Sequence, residues 1–138
     1  MSIFKAYDIR GLSPEQLDAK QAYRIGYGFC RFLIDEGEPE PRIVVGRDMR
    51  ITSPELTLAF ARGIQKAGGT PVSAGLATTP MLYAAVALSD NVSGGVIVTA
   101  SHNGPKYNGF KLCRAGALPI SGTSGLKDIE QLSREAPD

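Results

Sequence analysis

Residues 43–74, with the sequence IVVGRDMRITSPELTLAFARGIQKAGGTPVSA, carry the pattern that decides the fold. Ile43–Gly46 is a short apolar run dominated by β-branched residues, which predicts a buried strand. Ser53-Pro54 is a typical helix start, with Ser53 as the N-cap, and apolar residues then recur at helical spacing: Leu56, Ala59, Phe60, Gly63, Ile64 and Ala67. Pro71–Ala74 predicts a second, weaker strand. The stretch is therefore predicted to form a strand–helix–strand unit.

The same alternation continues towards the C-terminus. A helix is predicted to begin with Thr79 as its N-cap and to turn inward the side chains of Met81, Leu82, Ala85, Val86 and Leu88. Gly95–Thr99 predicts a further buried strand, and Phe110–Cys113 predicts a strand that returns beside it. The segment 114–120 indicates a turn and an extended run, and Ser124 is the predicted N-cap of a last helix.

The N-terminal side adds one more helix and one short motif. AYDIRG at 6–11 predicts a strand, or a turn that carries a surface ion pair. Ser13 is the predicted N-cap of the helix, with Pro14 in its first turn and Gln16 completing a capping box. This helix is predicted to end at Gly37 and to bury one face made of Ala22, Ile25, Gly26, Phe29, Cys30 and Leu33.

Alternating strands and helices are typical of a parallel α/β sheet with right-handed crossovers. The predicted fold class is α/β, a three-layer sandwich in which a mixed, mostly parallel four-stranded sheet lies between helices. Residues 1–138 are predicted to form a single α/β domain, and this length is sufficient for one hydrophobic core.

Loops that follow parallel strands gather at the carboxyl edge of a sheet, where ligands bind. Three loops are predicted to meet there, at 47–52, 77–79 and 99–108. This places on one rim the side chains of Arg47, Arg50, Thr78 and Ser101. The free N–H groups at two helix starts add positive potential to the same rim.

Composition excludes several classes of protein. Hydrophobic residues make up 43% and charged residues 21% of the chain, as in an ordinary globular domain. A net charge of +1 argues against a dedicated nucleic-acid binder. No apolar run is long enough to span a membrane, and no signal-peptide pattern is present. Cys30 and Cys113 are predicted to be buried thiols, and a cytoplasmic location is expected.

The loop at 101–109, SHNGPKYNG, presents the nucleophilic hydroxyl of Ser101 among hydrogen-bonding side chains. Residues 91–127 contain no Asp or Glu, but they include the cations Lys106, Lys111, Arg114 and Lys127. A hydroxyl, backbone N–H groups and cations together suit an anion, most simply a phosphate. A surface turn in which Asn, Gly and Pro only reverse the chain explains the composition equally well.

Two chemistries could use this serine. Acyl transfer needs a base within reach of the hydroxyl, but His102 is the only histidine and, as the next residue, is poorly placed to reach back. Thr99 also occupies the position where a nucleophile elbow requires glycine. Phosphoryl transfer needs cations and a group that moves the hydroxyl proton. Lys111 can project near Ser101 for that purpose, or it can be a solvated strand residue.

Three segments carry a resemblance to a known family. TASHNGPKYNGFK at 99–111 closely resembles the active-serine signature of the α-D-phosphohexomutases, and IFKAYDIRG at 3–11 and VGRDMRITSPEL at 45–56 resemble two further signatures in the same order. Three motifs together are far more specific than any one of them. The AYDIRG opening and the YNGFK ending are most similar to the phosphomannomutase/phosphoglucomutase branch, and the match is to its N-terminal domain.

The resemblance implies that Ser101 is carried as a phosphoserine. This residue would exchange its phosphoryl group with a mannose or glucose phosphate through a hexose 1,6-bisphosphate. The family's catalytic positions match Ser101, Lys111, His102 and Arg10, and its substrate contacts match Tyr7, Arg10, Ser101, Asn103 and Lys111. Mg²⁺ would bind through the phosphate on Ser101, with its remaining ligands in an Asp-rich loop of another domain.

The chain also departs from the family pattern. Gly104 stands where the family usually has proline directly after Ser-His-Asn, and glycine loosens the backbone there. The family's enzymes have four domains, of which only the first is matched, so the implied partners are a phosphosugar and the remaining domains. We expect the chain to fold alone but not to turn over substrate. A phosphosugar- or anion-binding module without covalent chemistry and a purely structural domain are the alternatives.

Overall fold

The computed structural model describes residues 2–138. Its strands are β1 (Ile9–Leu12), β2 (Arg42–Arg47), β3 (Thr70–Leu76), β4 (Gly94–Val98), β5 (Tyr107–Arg114) and β6 (Leu118–Pro119). Its helices are α1 (Ala19–Asp35), α2 (Ser53–Lys66), α3 (Thr79–Ala87) and α4 (Leu126–Ser133), and a single 3₁₀ turn joins β5 to β6 at Ala115–Ala117. The strand–helix–strand unit predicted within 43–74 is present as β2–α2–β3.

The described strands form one mixed sheet in the order β1-β5-β4-β2-β3, with β6 paired to the end of β5. The prediction of a mixed sheet between helices is confirmed, but the predicted count of four strands is wrong, because the sheet has six. The mostly parallel character is also wrong. β2 runs parallel to β3 and β4, whereas β5 runs antiparallel to β1, β4 and β6. The extra strands arise because β5 returns as a hairpin and then pairs with two short segments.

Helices cover both faces of the sheet and complete the predicted three layers. α1 packs against α2 and α4 on one face, where the core includes the rings of Phe29, Phe60 and Phe110. α3 lies on the other face, where Leu82 and Val86 pack against Val44, Ile97 and Cys113. The sheet is therefore buried on both sides, which fixes the positions of the loops at its edge.

The start of α1 differs from the prediction. Asp18 is the N-cap, and its carboxylate accepts a hydrogen bond from the Gln21 backbone N–H at 2.9 Å. Ser13 lies in the preceding turns, where its hydroxyl donates to the Leu17 carbonyl at 2.8 Å. Gln16 accepts from the backbone N–H of Leu12. Ser-Pro-Glu-Gln therefore closes a turn before the helix, because the Asp18 carboxylate caps the first helical N–H groups instead.

The other helix starts differ by about one residue. Ser53 is the first residue of α2 and not its N-cap, since its hydroxyl donates to Asp48 at 2.7 Å. Thr78, not Thr79, caps α3 through its hydroxyl. Ser124 precedes the Gly125 N-cap of α4, and its hydroxyl accepts from the Ser121 backbone.

α3 buries a narrower face than predicted. Leu82 and Val86 are fully buried, but Met81 is 58% and Leu88 is 84% exposed. A short helix that contacts the sheet along one i, i+4 stripe leaves its other apolar residues in solvent.

Both cysteines are buried and free, as predicted. Burial raises the pKa of Cys30 and of Cys113 to about 11, so both remain thiols at neutral pH. In the part of the chain that the structure describes, no helix has the length and apolar character needed to cross a membrane.

Candidate functional site

The carboxyl ends of β2, β3 and β4 lie at one edge of the sheet, as predicted from their parallel arrangement. The Asp48 backbone N–H donates to the Val98 carbonyl at 3.0 Å, and the Ala77 N–H donates to the Arg47 carbonyl at 2.9 Å. These bonds join the loops that follow the three strands. The loop that carries Ser101 therefore begins directly beside the loop that carries Asp48.

Ser101 lies exposed in this loop in a left-handed conformation, with φ of 55°. This region is uncommon for a residue with a side chain, and occupying it costs about 1 kcal/mol or more. The backbone N–H of Ser101 donates to the Thr99 hydroxyl at 3.0 Å. The surroundings therefore hold the serine backbone in its strained position and leave its side chain in solvent.

Arg50 determines the shape of this loop. Its Nη1 donates to the carbonyls of Gly104 at 2.7 Å and Tyr107 at 3.1 Å, and its Nη2 donates to those of Ser101 at 3.0 Å and Asn103 at 2.8 Å. The Arg50 side chain is 11% exposed. Four carbonyl oxygens of the serine loop thus converge on one partly buried cation.

Because these carbonyls face Arg50, the C=O and N–H groups of the loop peptides lie on opposite sides of the loop. A trans peptide directs its C=O and its N–H to opposite sides. The carbonyls of Ser101 and Asn103 bind Arg50, so the N–H groups of the same peptides, which belong to His102 and Gly104, are directed away from it. Within residues 2–138 neither N–H group has a hydrogen-bond acceptor. The side of the loop away from Arg50 therefore offers backbone donors beside the Ser101 side chain.

The Asp48 carboxylate holds both Arg50 and the start of the serine loop in place. Its carboxylate accepts from the Arg50 Nε and backbone N–H, from the Ser53 hydroxyl at 2.7 Å and from the Thr99 hydroxyl at 2.7 Å. Burial acts to raise the pKa of Asp48, but the hydrogen bonds from Ser53, Thr99 and the Arg50 backbone, with the Arg50 charge, hold it below its ordinary value. Asp48 is therefore a stable anion at neutral pH.

The far end of the loop is fixed to α2. The side-chain amide of Asn108, which is fully buried, donates to the hydroxyls of Thr52 at 2.8 Å and Ser53 at 3.0 Å. Its carbonyl oxygen accepts from the Gly109 backbone N–H. The serine loop is thus held at both ends and through its middle.

A second cluster lies where β1 pairs with β5. The Asp8 carboxylate is 8% exposed and accepts from Arg10 Nε at 3.1 Å and from Lys111 Nζ at 3.1 Å. The ion pair predicted within AYDIRG therefore exists, but its carboxylate is buried and is shared with Lys111. The structure brings together two of the predicted site residues, Arg10 and Lys111, through an acid that the sequence did not single out for this role.

The two clusters are connected through Gly109. This residue pairs with Arg10 across β1 and β5, and its carbonyl accepts from the Thr99 backbone N–H at 2.9 Å. A side chain at Gly109 would lie about 3.0 Å from Cγ of Arg10. The Arg10 side chain thus passes over the glycine, on the strand that leads back from Ser101.

The remaining predicted residues differ in how they relate to the serine. Asn103 is part of the loop structure, because its side-chain and backbone N–H groups both donate to the Ala100 carbonyl. His102 is exposed beside Ser101. Tyr7 is 82% exposed and lines a cavity with residues 121–123 and Leu126. The structure records no hydrogen bond that joins Tyr7 to the serine loop among the described residues.

The carboxylates near the loop do not form a metal site. Asp8 is engaged with two cations, and Asp48 with four hydrogen-bond donors. Within residues 2–138 no group of three or more His, Cys, Asp and Glu side chains is placed to hold a metal ion. Any Mg²⁺ at Ser101 would need most of its ligands from outside these residues.

Sequence reasoning missed the supporting residues Asp8, Asp48, Thr99 and Asn108. Part of the signal was present, since Asp8 and Arg10 are two residues apart, the spacing of side chains on one face of an extended segment. The pairing of Asp8 with Lys111 depends on the β1–β5 register, which the residue pattern alone does not determine. The contact of Asp48 with Thr99 likewise depends on β2 and β4 being neighbours.

The fold and the site define an α/β/α domain that presents an exposed serine in a loop built around a partly buried arginine. The family described as "Phosphoglucomutase/phosphomannomutase, alpha/beta/alpha domain I" matches residues 1–137 of this chain. The chain belongs to this family, which confirms the resemblance of its three motifs to the phosphohexomutases.

Known relatives are similar over nearly the whole chain. An Escherichia coli phosphomannomutase is 47% identical over 135 residues, covering 98% of this chain and 28% of that protein. A Klebsiella pneumoniae phosphomannomutase is also 47% identical, and the match covers 98% of this chain and 82% of that protein. The crystal structure of a Burkholderia thailandensis phosphoglucomutase/phosphomannomutase family protein superposes with a TM-score of 0.84 at 38% identity, covering 97% of this chain and 30% of that one. The chain thus spans less than a third of two of these proteins.

Proposed function

We propose that this chain is the N-terminal domain of an isomerase that interconverts hexose 1-phosphates and 6-phosphates, with mannose or glucose as the sugar. Ser101 carries the phosphoryl group between substrate and product through a hexose 1,6-bisphosphate. Because the chain spans 28% of the length of the E. coli phosphomannomutase that it resembles, the proposed activity belongs to a longer protein.

One observation carries the proposal. The carbonyls of Ser101 and Asn103 bind Arg50, so the N–H groups of His102 and Gly104 are directed to the other side of the loop without an acceptor in the described chain. Adjacent backbone donors of this kind bind phosphate oxygens. They lie beside an exposed hydroxyl, which is the group that a phosphoryl transfer requires.

The proposed transfer moves one phosphoryl group from a sugar oxygen to Ser101. The Ser101 Oγ attacks phosphorus of the hexose 1,6-bisphosphate, the bond from that phosphorus to the sugar oxygen breaks, and the hexose monophosphate leaves. The proton on Oγ moves to one of the two candidates for proton transfer, Lys111 and His102, and the leaving sugar oxygen takes up a proton from the other. Arg10 offsets the negative charge on the phosphoryl oxygens, and Lys111 does so while it is protonated, as in its ion pair with Asp8. The reverse sequence returns the phosphoryl group to the other sugar position.

The other assigned residues act as contacts in this proposal. Asn103 holds the loop against Ala100, and Tyr7 lines the substrate path when the sugar is bound. Mg²⁺ would bind the phosphate on Ser101, with carboxylates from another domain, and would neutralise phosphoryl charge. The phosphosugar and the remaining domains are the proposed partners.

The test is phosphorylation of Ser101 in the full-length protein. Incubation with glucose 1,6-bisphosphate, followed by intact-mass analysis and site mapping, should show one added phosphoryl group on Ser101. Ser101→Ala should abolish it. Ser89→Ala is the matched control, because Ser89 is exposed just beyond α3 and its hydroxyl bonds only the Ala85 carbonyl among the described residues. A wild-type protein that stays unmodified would overturn the proposal.

The same N–H groups would also serve a non-catalytic phosphosugar-binding module. In that case NMR titration with glucose 6-phosphate should shift the His102 and Gly104 amide resonances, while no phosphoserine forms from the bisphosphate. Binding without modification would therefore select this alternative.

A further inference from the structure

Asp8 is a buried carboxylate that takes no direct part in the proposed phosphoryl transfer. Its side chain is 8% exposed, and each of its two oxygens binds a different cation, Arg10 or Lys111. Both cations are more exposed than the acid, with side-chain exposures of 40% and 25%. The carboxylate is thus the buried centre of the cluster, and the cations extend from it towards solvent.

The fold does not need this charge to hold β1. The strand already pairs with β5 over four residues, from Ile9 with Phe110 to Leu12 with Tyr107. The backbone around Asp8 is fixed as well, because Lys5 N–H donates to the Asp8 carbonyl at 2.8 Å. A buried ion pair is often no more stabilising than an apolar replacement of similar size. Stability alone therefore does not account for the choice of an aspartate here.

The arrangement leaves donors available on both cations. Asp8 engages Nε of Arg10, while neither Nη group of Arg10 has an acceptor in residues 2–138. Lys111 has a single recorded acceptor for its three N–H donors, the Oδ2 atom of Asp8. The carboxylate holds one side of each cation and leaves the remaining donors free to bind an anion.

Asp8 also lies on the face of the sheet that α3 covers. Tyr83 of α3 is half-buried there, and burial, with a smaller contribution from the Asp8 charge, raises the pKa of its hydroxyl. From this cluster the Arg10 side chain passes over Gly109, on the strand that leads back from Ser101.

We propose that Asp8 is a positioning residue that orients Lys111 and Arg10 towards the phosphoryl group carried by Ser101. This inference rests on the proposed function. Asp8 touches neither substrate nor serine, and it acts only through the two cations. Misplacing such groups by about 1 Å can slow a reaction by about 100-fold.

The experiment measures single-turnover transfer from glucose 1,6-bisphosphate to Ser101 in the full-length protein. Asp8→Asn keeps the shape but removes the charge, and we expect the transfer rate at saturating bisphosphate to fall by about 10- to 100-fold. Asp8→Glu keeps the charge and should recover part of the loss. Asp90→Asn, in an exposed loop, is the matched control and should transfer at the wild-type rate.

A second measurement does not depend on any variant. In the ¹⁵N-labelled 138-residue chain, the Lys111 ammonium should give a distinct, slowly exchanging side-chain resonance, unlike exposed Lys66. This signal shows the carboxylate contact directly. It also keeps the inference testable if Asp8→Asn fails to fold.

The outcomes separate this inference from the function on which it rests. A wild-type protein that never phosphorylates Ser101 contradicts the proposed function. A wild-type protein that does so, with a folded Asp8→Asn variant that transfers equally fast, overturns the positioning role of Asp8. Exchange at Lys111 as fast as at Lys66 would overturn it too.

Discussion

At the scale of single residues, Arg50 sets the conformation of the serine loop. Its donors reach five acceptors: the Asp48 carboxylate and the carbonyls of Ser101, Asn103, Gly104 and Tyr107. A lysine at this position would keep the charge but would have three donors on one nitrogen. It could not replace the planar fork of the guanidinium.

We expect Arg50→Lys to lower the free energy of unfolding by about 1–3 kcal/mol, because at least two of the five acceptors lose a donor. The backbone amides of Asn103 and Tyr107, whose acceptors lie in the same loop, should exchange faster with solvent. Urea unfolding and NMR hydrogen exchange measure the two effects. Arg62→Lys, on the exposed face of α2, is the control and should change neither. Unchanged amide protection in Arg50→Lys would count against this role.

At the scale of elements, two glycines allow α1 and α2 to approach closely. A side chain at Gly26 would overlap the Phe60 carbonyl of α2, and one at Gly63 would overlap the Tyr23 carbonyl of α1. α2 in turn begins with Ser53, which donates to Asp48. The helix contact therefore also fixes the residue that supports the serine loop.

We expect Gly63→Ala to destabilise the domain by about 1–3 kcal/mol, since the overlap forces the helices apart. In an exposed helix the same change would stabilise by about 1 kcal/mol, so the sign of the effect distinguishes the two cases. Urea unfolding measures it. Gly104→Ala is the control, because nothing lies within 4 Å of a side chain placed there. A Gly63→Ala variant more stable than wild type would refute the close contact.

The sequence predicted the buried strands and the order of the helices because β-branched runs and helical periodicity are local signals. It placed helix starts less well, since several polar residues compete to cap the same turn. Ser13 matches a capping pattern, yet the Asp18 carboxylate caps α1. The strand count was too low because β1 and β6 have only four and two residues. Such strands exist only through their pairing with β5.

The sequence predicted the loop of the candidate site but not the residues that hold this loop in place. Ser101 and Lys111 stand in recognisable motifs, and the loop composition indicates an anion. The contacts of Asp8 and Asp48 join segments that are distant in sequence, and so they depend on strand register. His102 and Gly104 contribute backbone N–H groups, and their direction follows from the carbonyls that Arg50 binds.

At the scale of the whole molecule, the candidate site is assembled from three separate segments at one edge of the sheet. Residues 8–10, 48–53 and 99–111 meet at the carboxyl edge of a sheet that is packed on both faces. They supply a hydroxyl, cations and backbone donors. They do not supply a set of carboxylates placed to hold a metal within residues 2–138.

We expect the 138-residue chain to unfold in one cooperative transition but not to interconvert hexose 1- and 6-phosphates. The core is packed on both faces of the sheet, whereas the proposed function takes sugar recognition and the metal carboxylates from other domains. Thermal unfolding followed by circular dichroism, with calorimetry, tests the first expectation, and a coupled mutase assay with the full-length protein as control tests the second. Measurable turnover by the chain alone would contradict it.

The position of Arg50 has a consequence for repeated turnover. Arg50, which binds the loop carbonyls, lies on the inner side of the serine loop. The Ser101 hydroxyl, which would be modified, lies on the outer, solvent-exposed side. A phosphoryl group could therefore arrive and depart while the peptide units behind it keep their places. The loop would therefore have the same conformation at the start of each cycle, whether or not Ser101 carries a phosphoryl group.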